Sequence, residues 1–187
     1  MGRRYDALTE AHREFIARQK LFFVATAGPE GTVNLSPKGH DSLRVLDAHR
    51  LVWLNLTGSG NETAAHLRRS PRITLMFCAF TGPPLILRIY GRGRVHHPGT
   101  PGFEAYLPLF PALPGARQIV EVAIEQVQTS CGMGVPLYHY VGDRRDLLDW
   151  AARKGEEGIR AYWKKHNTTS LDGRSIPFPA GLLPEDP

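Results

Sequence analysis

The sequence predicts a mainly β fold, an antiparallel barrel with helices at its periphery. Two observations carry this. Short runs of strand-forming residues recur between Gly- and Pro-rich turns, and helical periodicity is confined to the chain ends and one short insertion. A third sets the scale: 187 residues, 42% hydrophobic and 22% charged, suit one well-buried core better than two domains. No internal repeat or low-complexity tract divides the chain. A single domain over residues 1–187 is expected, with the barrel at about 21–130 and C-terminal helices and tail at about 143–187.

Leu8, Ala11, Phe15 and Ile16 recur at helical spacing behind Thr9, a capping residue, and predict an amphipathic helix ending near Lys20. Leu21 to Ala27 and Thr32 to Pro37 then read as a hairpin around the turn Gly28-Pro29-Glu30-Gly31. Ser42 to Leu46 and Leu51 to Leu56 follow as strands. A short helix is expected from Asn61 to Arg69, stopped by Ser70-Pro71. Arg72 to Phe80 and Leu85 to Val95 make a second hairpin around Thr81-Gly82-Pro83-Pro84. The Pro- and Gly-rich stretch from His97 to Arg117 reads as a connection with a helical turn or two around Phe103 to Leu109. Gln118 to Ser130 is a long strand whose alternation slips before Val127, as at a bulge. Two helices, Asp143 to Lys154 and Glu156 to His166, precede a turn-rich tail.

Lys and Arg outnumber Asp and Glu by 23 to 18, a net charge of +5 that suits an anionic ligand. The basic residues are dispersed, so no nucleic-acid partner is expected. No apolar run approaches membrane-spanning length, and the charged stretch Met1 to Tyr5 is unlike a signal peptide. A cytoplasmic protein with no membrane partner is the expectation, its Cys78 and Cys131 reduced. The Asn-x-Ser/Thr triplets at Asn34, Asn55, Asn61 and Asn167 then count as amide and hydroxyl donors rather than glycosylation sites.

The chemistry concentrates in two segments. Asn34-Leu35-Ser36-Pro37-Lys38-Gly39 places Asn34 and Ser36 on one face of a strand that ends in a lysine. Thr57-Gly58-Ser59-Gly60-Asn61-Glu62-Thr63 is a Gly- and hydroxyl-rich loop entering a helix, where free N–H groups and the helix dipole favour an anion. Alone, the loop is explained by ordinary capping through Ser59 and Asn61. Beside a strand ending in Ser-Pro-Lys-Gly, a phosphate monoester becomes the better reading.

These segments, with Phe22 to Ala27, Met76 to Phe80, Ser130-Cys131-Gly132, Val135-Pro136 and Ser170 to Gly173, resemble the pyridoxamine 5′-phosphate oxidase-related family along nearly the whole chain. The resemblance implies an FMN-binding split barrel, a six-stranded antiparallel Greek-key barrel. It also implies a homodimer with FMN in each of two clefts between subunits. Ser36 and Lys38 would grip the phosphate, with Thr57, Ser59, Gly60 and Asn61 on its loop side, and the backbone at Asn34 and Leu35 would lie along the flavin ring. One departure is plain. The true oxidase's Gly-Gly-Tyr-Arg stretch, running on to Glu-Phe-Trp-Gln-Gly, has no counterpart here, and Asn167 to Pro179 carries no Arg-x-His. The resemblance therefore does not extend to oxidation of vitamin B6 phosphates.

Arg88 is a further cofactor-site candidate, because a charge that deep in an apolar run needs a carboxylate, a partner subunit or a flavin carbonyl. Arg92, Arg94 and His96 share its strand face, and for Arg92 and Arg94 a solvated outer surface is the simpler reading. Cys131 has no adjacent base or cation to activate it, so packing near the flavin is preferred to covalent chemistry. Trp150, Tyr162 and Trp163 read as packing residues. No His or Cys spacing suggests a metal, and no catalytic residue can be assigned. The function expected is that of an FMN-dependent oxidoreductase with a small-molecule redox substrate. The alternatives are a non-catalytic flavin-binding module, or a split barrel holding a deazaflavin or haem.

Overall fold

The computed structural model describes residues 2–185; Met1 and positions 186–187 of the expected tail lie outside the described residues. Eight strands form a single antiparallel sheet that curls around the main core. They are β1 (Arg3–Tyr5), β2 (Phe22–Ala27), β3 (Val33–Lys38), β4 (Leu43–Val45), β5 (Arg50–Leu56), β6 (Arg72–Cys78), β7 (Ile86–His96) and β8 (Ala116–Ser130). The spatial order is β3-β2-β6-β7-β8-β5-β4, with β1 added beside the C-terminal part of β8. Three polar residues with no alternation gave no signal for β1. Among the described residues no ladder joins β3 to β4, so the barrel is split on that side.

The helices are α1 (Glu10–Arg18), α2 (Glu62–Leu67), α3 (Pro101–Tyr106), which runs into a 3-10 turn at Leu107–Leu109, and α4 (Asp146–His166). The Thr9 cap of α1 is reciprocal: its hydroxyl accepts from His12 N at 3.3 Å, and His12 Nδ1 accepts from Thr9 N at 3.2 Å. The two expected terminal helices meet at Gly155, where φ 64° and ψ 177° break α4; only glycine adopts that conformation readily.

Alternation decides the core. Val24, Leu75, Leu87, Ile89, Val120 and Val122 point inward and are fully buried around Trp53 and Phe77, and α1 closes one end with Phe15 and Ile16. Each such side chain contributes about 1.5–3 kcal/mol by leaving water. The expected slip in β8 is a bulge. Tyr90 pairs with Gln126 and Gly91 with Ile124, leaving Glu125 without a partner. The backbones approach so closely there that a Cβ on Gly91 would collide with the Ala123 carbonyl.

Two boundaries differ from expectation in ways that matter below. Strand β8 begins at Ala116, so Arg117 belongs to the sheet and not to the preceding connection; it is 3% exposed. His96, read as sharing a strand face with Arg92 and Arg94, is buried beneath α3. It bonds Glu121 at 2.9 Å, and Tyr106 donates to the same carboxylate at 3.2 Å. Arg92 and Arg94 are exposed as read.

Candidate functional site

The register of β3 on β2 pairs Asn34 with Thr26, Ser36 with Val24 and Lys38 with Phe22. Paired residues share a face, so Asn34, Ser36 and Lys38 look inward with the core side chains of β2, while Val33, Leu35 and Pro37 look out. Asn34 is committed to holding the fold. Its Nδ2 donates to Thr63 Oγ1 at 3.3 Å and Thr26 Oγ1 at 3.5 Å, and Thr26 Oγ1 in turn lies 3.0 Å from His66 Nδ1. Ser36 Oγ is buried without a hydrogen-bond partner. Lys38 is held in a poorly hydrated position, and burial, then the field of Arg117, lowers its pKa from 10.5 to about 8.

On the other side of the site runs the segment 57–61. Thr57 is 1% exposed and its hydroxyl is fully used, donating to Gly115 O at 2.7 Å and accepting from Trp163 Nε1 at 2.8 Å. It braces the loop against α4. Ser59 and Gly60 are exposed, and their N–H groups meet no acceptor among the described residues. Asn61 is buried, its Nδ2 donating to Asn167 O at 3.2 Å while its Oδ1 has no partner. Helix α2 spans only six residues, too short for its dipole to carry the anion preference. The electropositive character comes instead from Lys38 and from Arg117, which sequence reading passed over.

Arg117 Nη1 donates to Gly60 O at 3.0 Å and to Asn167 Oδ1 at 2.6 Å, and its Nε is buried without a partner. Burial lowers its pKa from 12.5 to about 10. Its field also contributes, after burial, to lowering His97 from 6.5 to about 4. Neither Lys38 nor Arg117 has a carboxylate partner among the described residues. Glu62, which opens α2 beside Gly60, accepts from Leu171 N through Oε1 at 3.0 Å, and its Oε2 is buried without a hydrogen-bond partner. A buried guanidinium and a half-buried ammonium without ion-pair partners are costly unless an anion joins them. The one local clue to Arg117 was its place against the apolar run Ile119-Val120, where a charge has little water.

The remaining candidates lie elsewhere. Leu35 is 63% exposed on the outer sheet face. Arg88 is half-buried on the outer face of β7 and donates to Ser130 Oγ at 3.1 Å across β8. Cys131, just beyond β8, is exposed and free; Cys78 is buried and free. Within one chain, Leu35 and Arg88 are therefore separated by the sheet from the inward Ser36 and Lys38, and Cys131 lies past the end of β8. Among the described residues no cluster of His, Cys, Asp or Glu could hold a metal ion, and no helix is long and apolar enough to cross a membrane.

The sequence model described as pyridoxamine 5′-phosphate oxidase matches residues 8–131, from the approach to α1 through the whole of β8. This chain belongs to that family. The pyridoxamine 5′-phosphate oxidase family protein ustO of Aspergillus flavus is 34% identical over 189 residues, covering 90% of this chain and 75% of that protein. Among solved structures, a variant of HupZ from Group A Streptococcus superposes with a TM-score of 0.53 at 20% identity, over 65% of this chain and 98% of that one. A candidate pyridoxamine 5′-phosphate oxidase of Lactobacillus delbrueckii gives 0.52 at 24% identity, over 66% and 94%. These likenesses confirm the split-barrel fold. The family match takes in β3, the 57–61 loop and Arg117, and stops short of α4 and Asn167.

Proposed function

We propose that this pyridoxamine 5′-phosphate oxidase family member binds FMN and acts as an FMN-dependent oxidoreductase on a small molecule. The observation that carries the reading is the meeting of half-buried Lys38 and buried Arg117, neither with a carboxylate partner among the described residues, beside a loop with unpaired N–H groups. A phosphate monoester, with one to two negative charges and three acceptor oxygens, supplies what those donors lack. Lys38 and the orphaned Ser36 hydroxyl would hold the phosphate from the β3 side, and the Ser59 and Gly60 amides from the loop side. Bound FMN would supply the redox chemistry; the chain's own task is to grip, orient and screen it from water.

The outer sheet face supports a second part of the reading, a homodimer. Val33 and Leu35 are 72% and 63% exposed, beside the partly exposed Phe23 and Met76. The segment after β8 adds exposed Met133, Leu137, Tyr138 and Val141. Monomers rarely leave so much large apolar surface open. A two-fold interface of more than about 2,000 Å² would cover it and bring Arg88 and Cys131 of one subunit toward the flavin of the other.

Visible spectroscopy of the purified protein, before and after FMN is added to the apo-form, tests the cofactor, because flavin, deazaflavin and haem absorb differently. Bleaching of the flavin by NADH or NADPH, with return on adding an acceptor, tests catalysis; a flavin that no donor reduces marks a binding module. Light scattering of the FMN-loaded protein tests the dimer, which a monomeric mass with fully bound flavin would exclude.

A further inference from the structure

The 58–61 loop is oriented by two residues from distant parts of the chain. Asn167 Nδ2 donates to the carbonyls of Gly58 at 3.2 Å and Ser59 at 3.4 Å, and Arg117 Nη1 donates to that of Gly60 at 3.0 Å. Three successive carbonyls are thus drawn to one side. In a trans peptide the N–H of the next residue points opposite to the carbonyl, so the amides of Ser59, Gly60 and Asn61 are sent the other way. Successive N–H groups aimed alike form an anion-binding concavity.

The clasp is itself rigid. Arg117 donates to Asn167 Oδ1 at 2.6 Å, Asn61 donates back to the Asn167 carbonyl at 3.2 Å, and Asn167 is 0% exposed. It caps the end of α4, its own N–H bonding the Trp163 carbonyl, so the terminal helix delivers it to the loop. Asparagine has both the donors for two carbonyls and the acceptor for a guanidinium; aspartate has only the second. A carboxylate there would also neutralise Arg117, which the observed amide leaves charged.

We propose that Arg117 and Asn167 are positioning residues for the ligand's phosphate, presetting the loop amides and thereby the preference for a phosphorylated over an unphosphorylated flavin. This rests on the flavin reading above. It adds that a residue beyond the barrel, at the end of α4, sets ligand choice.

The test is fluorescence titration of apo-protein with FMN and with riboflavin, for the wild type, Asn167→Ala, Asn167→Asp and Arg117→Lys, with circular dichroism and thermal melting of each. The wild type should bind FMN at least tenfold more tightly than riboflavin. Both Asn167 variants should lose at least tenfold in FMN affinity while riboflavin affinity stays within about twofold. Asn167→Asp should remain folded even if Asn167→Ala does not, because its carboxylate pairs with Arg117. Arg117→Lys, which keeps the charge but not the fork, should fall between wild type and the Asn167 variants. Equal loss of both ligands, or an unchanged FMN-to-riboflavin ratio in a folded Asn167 variant, would overturn the proposal and leave the flavin reading standing. A wild type that binds both equally also overturns it. A wild type that binds neither refutes the flavin reading and, with it, the proposal.

Discussion

Replacing Lys38 by methionine is expected to strengthen the apo-protein while weakening its hold on FMN. The folded chain keeps this ammonium on the inner face of β3 with no carboxylate beside it, and its pKa falls from 10.5 to about 8. Unfolding returns it to water and to its ordinary value. At about 1.4 kcal/mol for each tenfold change in ionisation, holding the charge in the folded state costs at most about 3.5 kcal/mol. The sign follows from proton binding. Between about pH 8 and 10.5 the unfolded chain binds the lysine proton more tightly, so stability rises with pH across that window; below pH 8 the cost is fully present. Methionine keeps an unbranched stem of similar length and carries no charge. Urea unfolding of the apo-variant at pH 7 should therefore show a gain of about 1–3 kcal/mol, and the rise between pH 8 and 10.5 should disappear. Fluorescence titration should show the opposite for the ligand, a loss of about 1.5–3 kcal/mol, or roughly 10- to 150-fold in Kd. A variant less stable than the wild type at pH 7, or one with unchanged FMN affinity, would falsify the view of Lys38 as a strained anion ligand.

Three further outcomes are expected. Gly91→Ala should destabilise the protein by about 2–3 kcal/mol or prevent folding, because the added methyl meets the Ala123 carbonyl at the β8 bulge; chemical denaturation reads the change. His97, whose pKa burial and then the fields of Arg117 and His96 lower to about 4, is neutral in the folded protein near pH 6. The unfolded chain binds its proton from about pH 6.5 downward, so up to about 3.5 kcal/mol of stability should drain away between pH 6.5 and 4, and His97→Phe should flatten that part of the profile. Pyridoxamine and pyridoxine 5′-phosphates should not be turned over by FMN-loaded protein. The tail that would have to grip them lacks Arg-x-His and is spent on packing, with Ile176 against Ala64 and Ala65 and Phe178 stacked on Trp163. Steady production of pyridoxal 5′-phosphate would contradict this.

Much of the architecture was legible because its causes are local. Alternation placed β2, β3 and β5 through β8, the slip before Val127 located the bulge, and Gly155 announced the break in α4. The Ser36–Lys38 strand end and the Gly-rich loop were visible for the same reason: each is a run of neighbours whose spacing already limits where side chains point. Strand β1 was invisible, since Arg3–Tyr5 has no strand character of its own and is ordered by the free edge of β8 at Val127 to Thr129.

The sequence by itself determined the family, the curled sheet and the two segments of the candidate site. Only the tertiary structure decided which side chains remain free to serve that site. It committed Asn34 to Thr26 and Thr63, and Thr57 to Gly115 and Trp163. It also brought Arg117 and Asn167, 50 residues apart in sequence, together behind the loop. The physical reason lies in burial. A hydrogen-bonding group commits to whichever partner excludes water with it, and that choice is made when β8 and α4 pack against the loop.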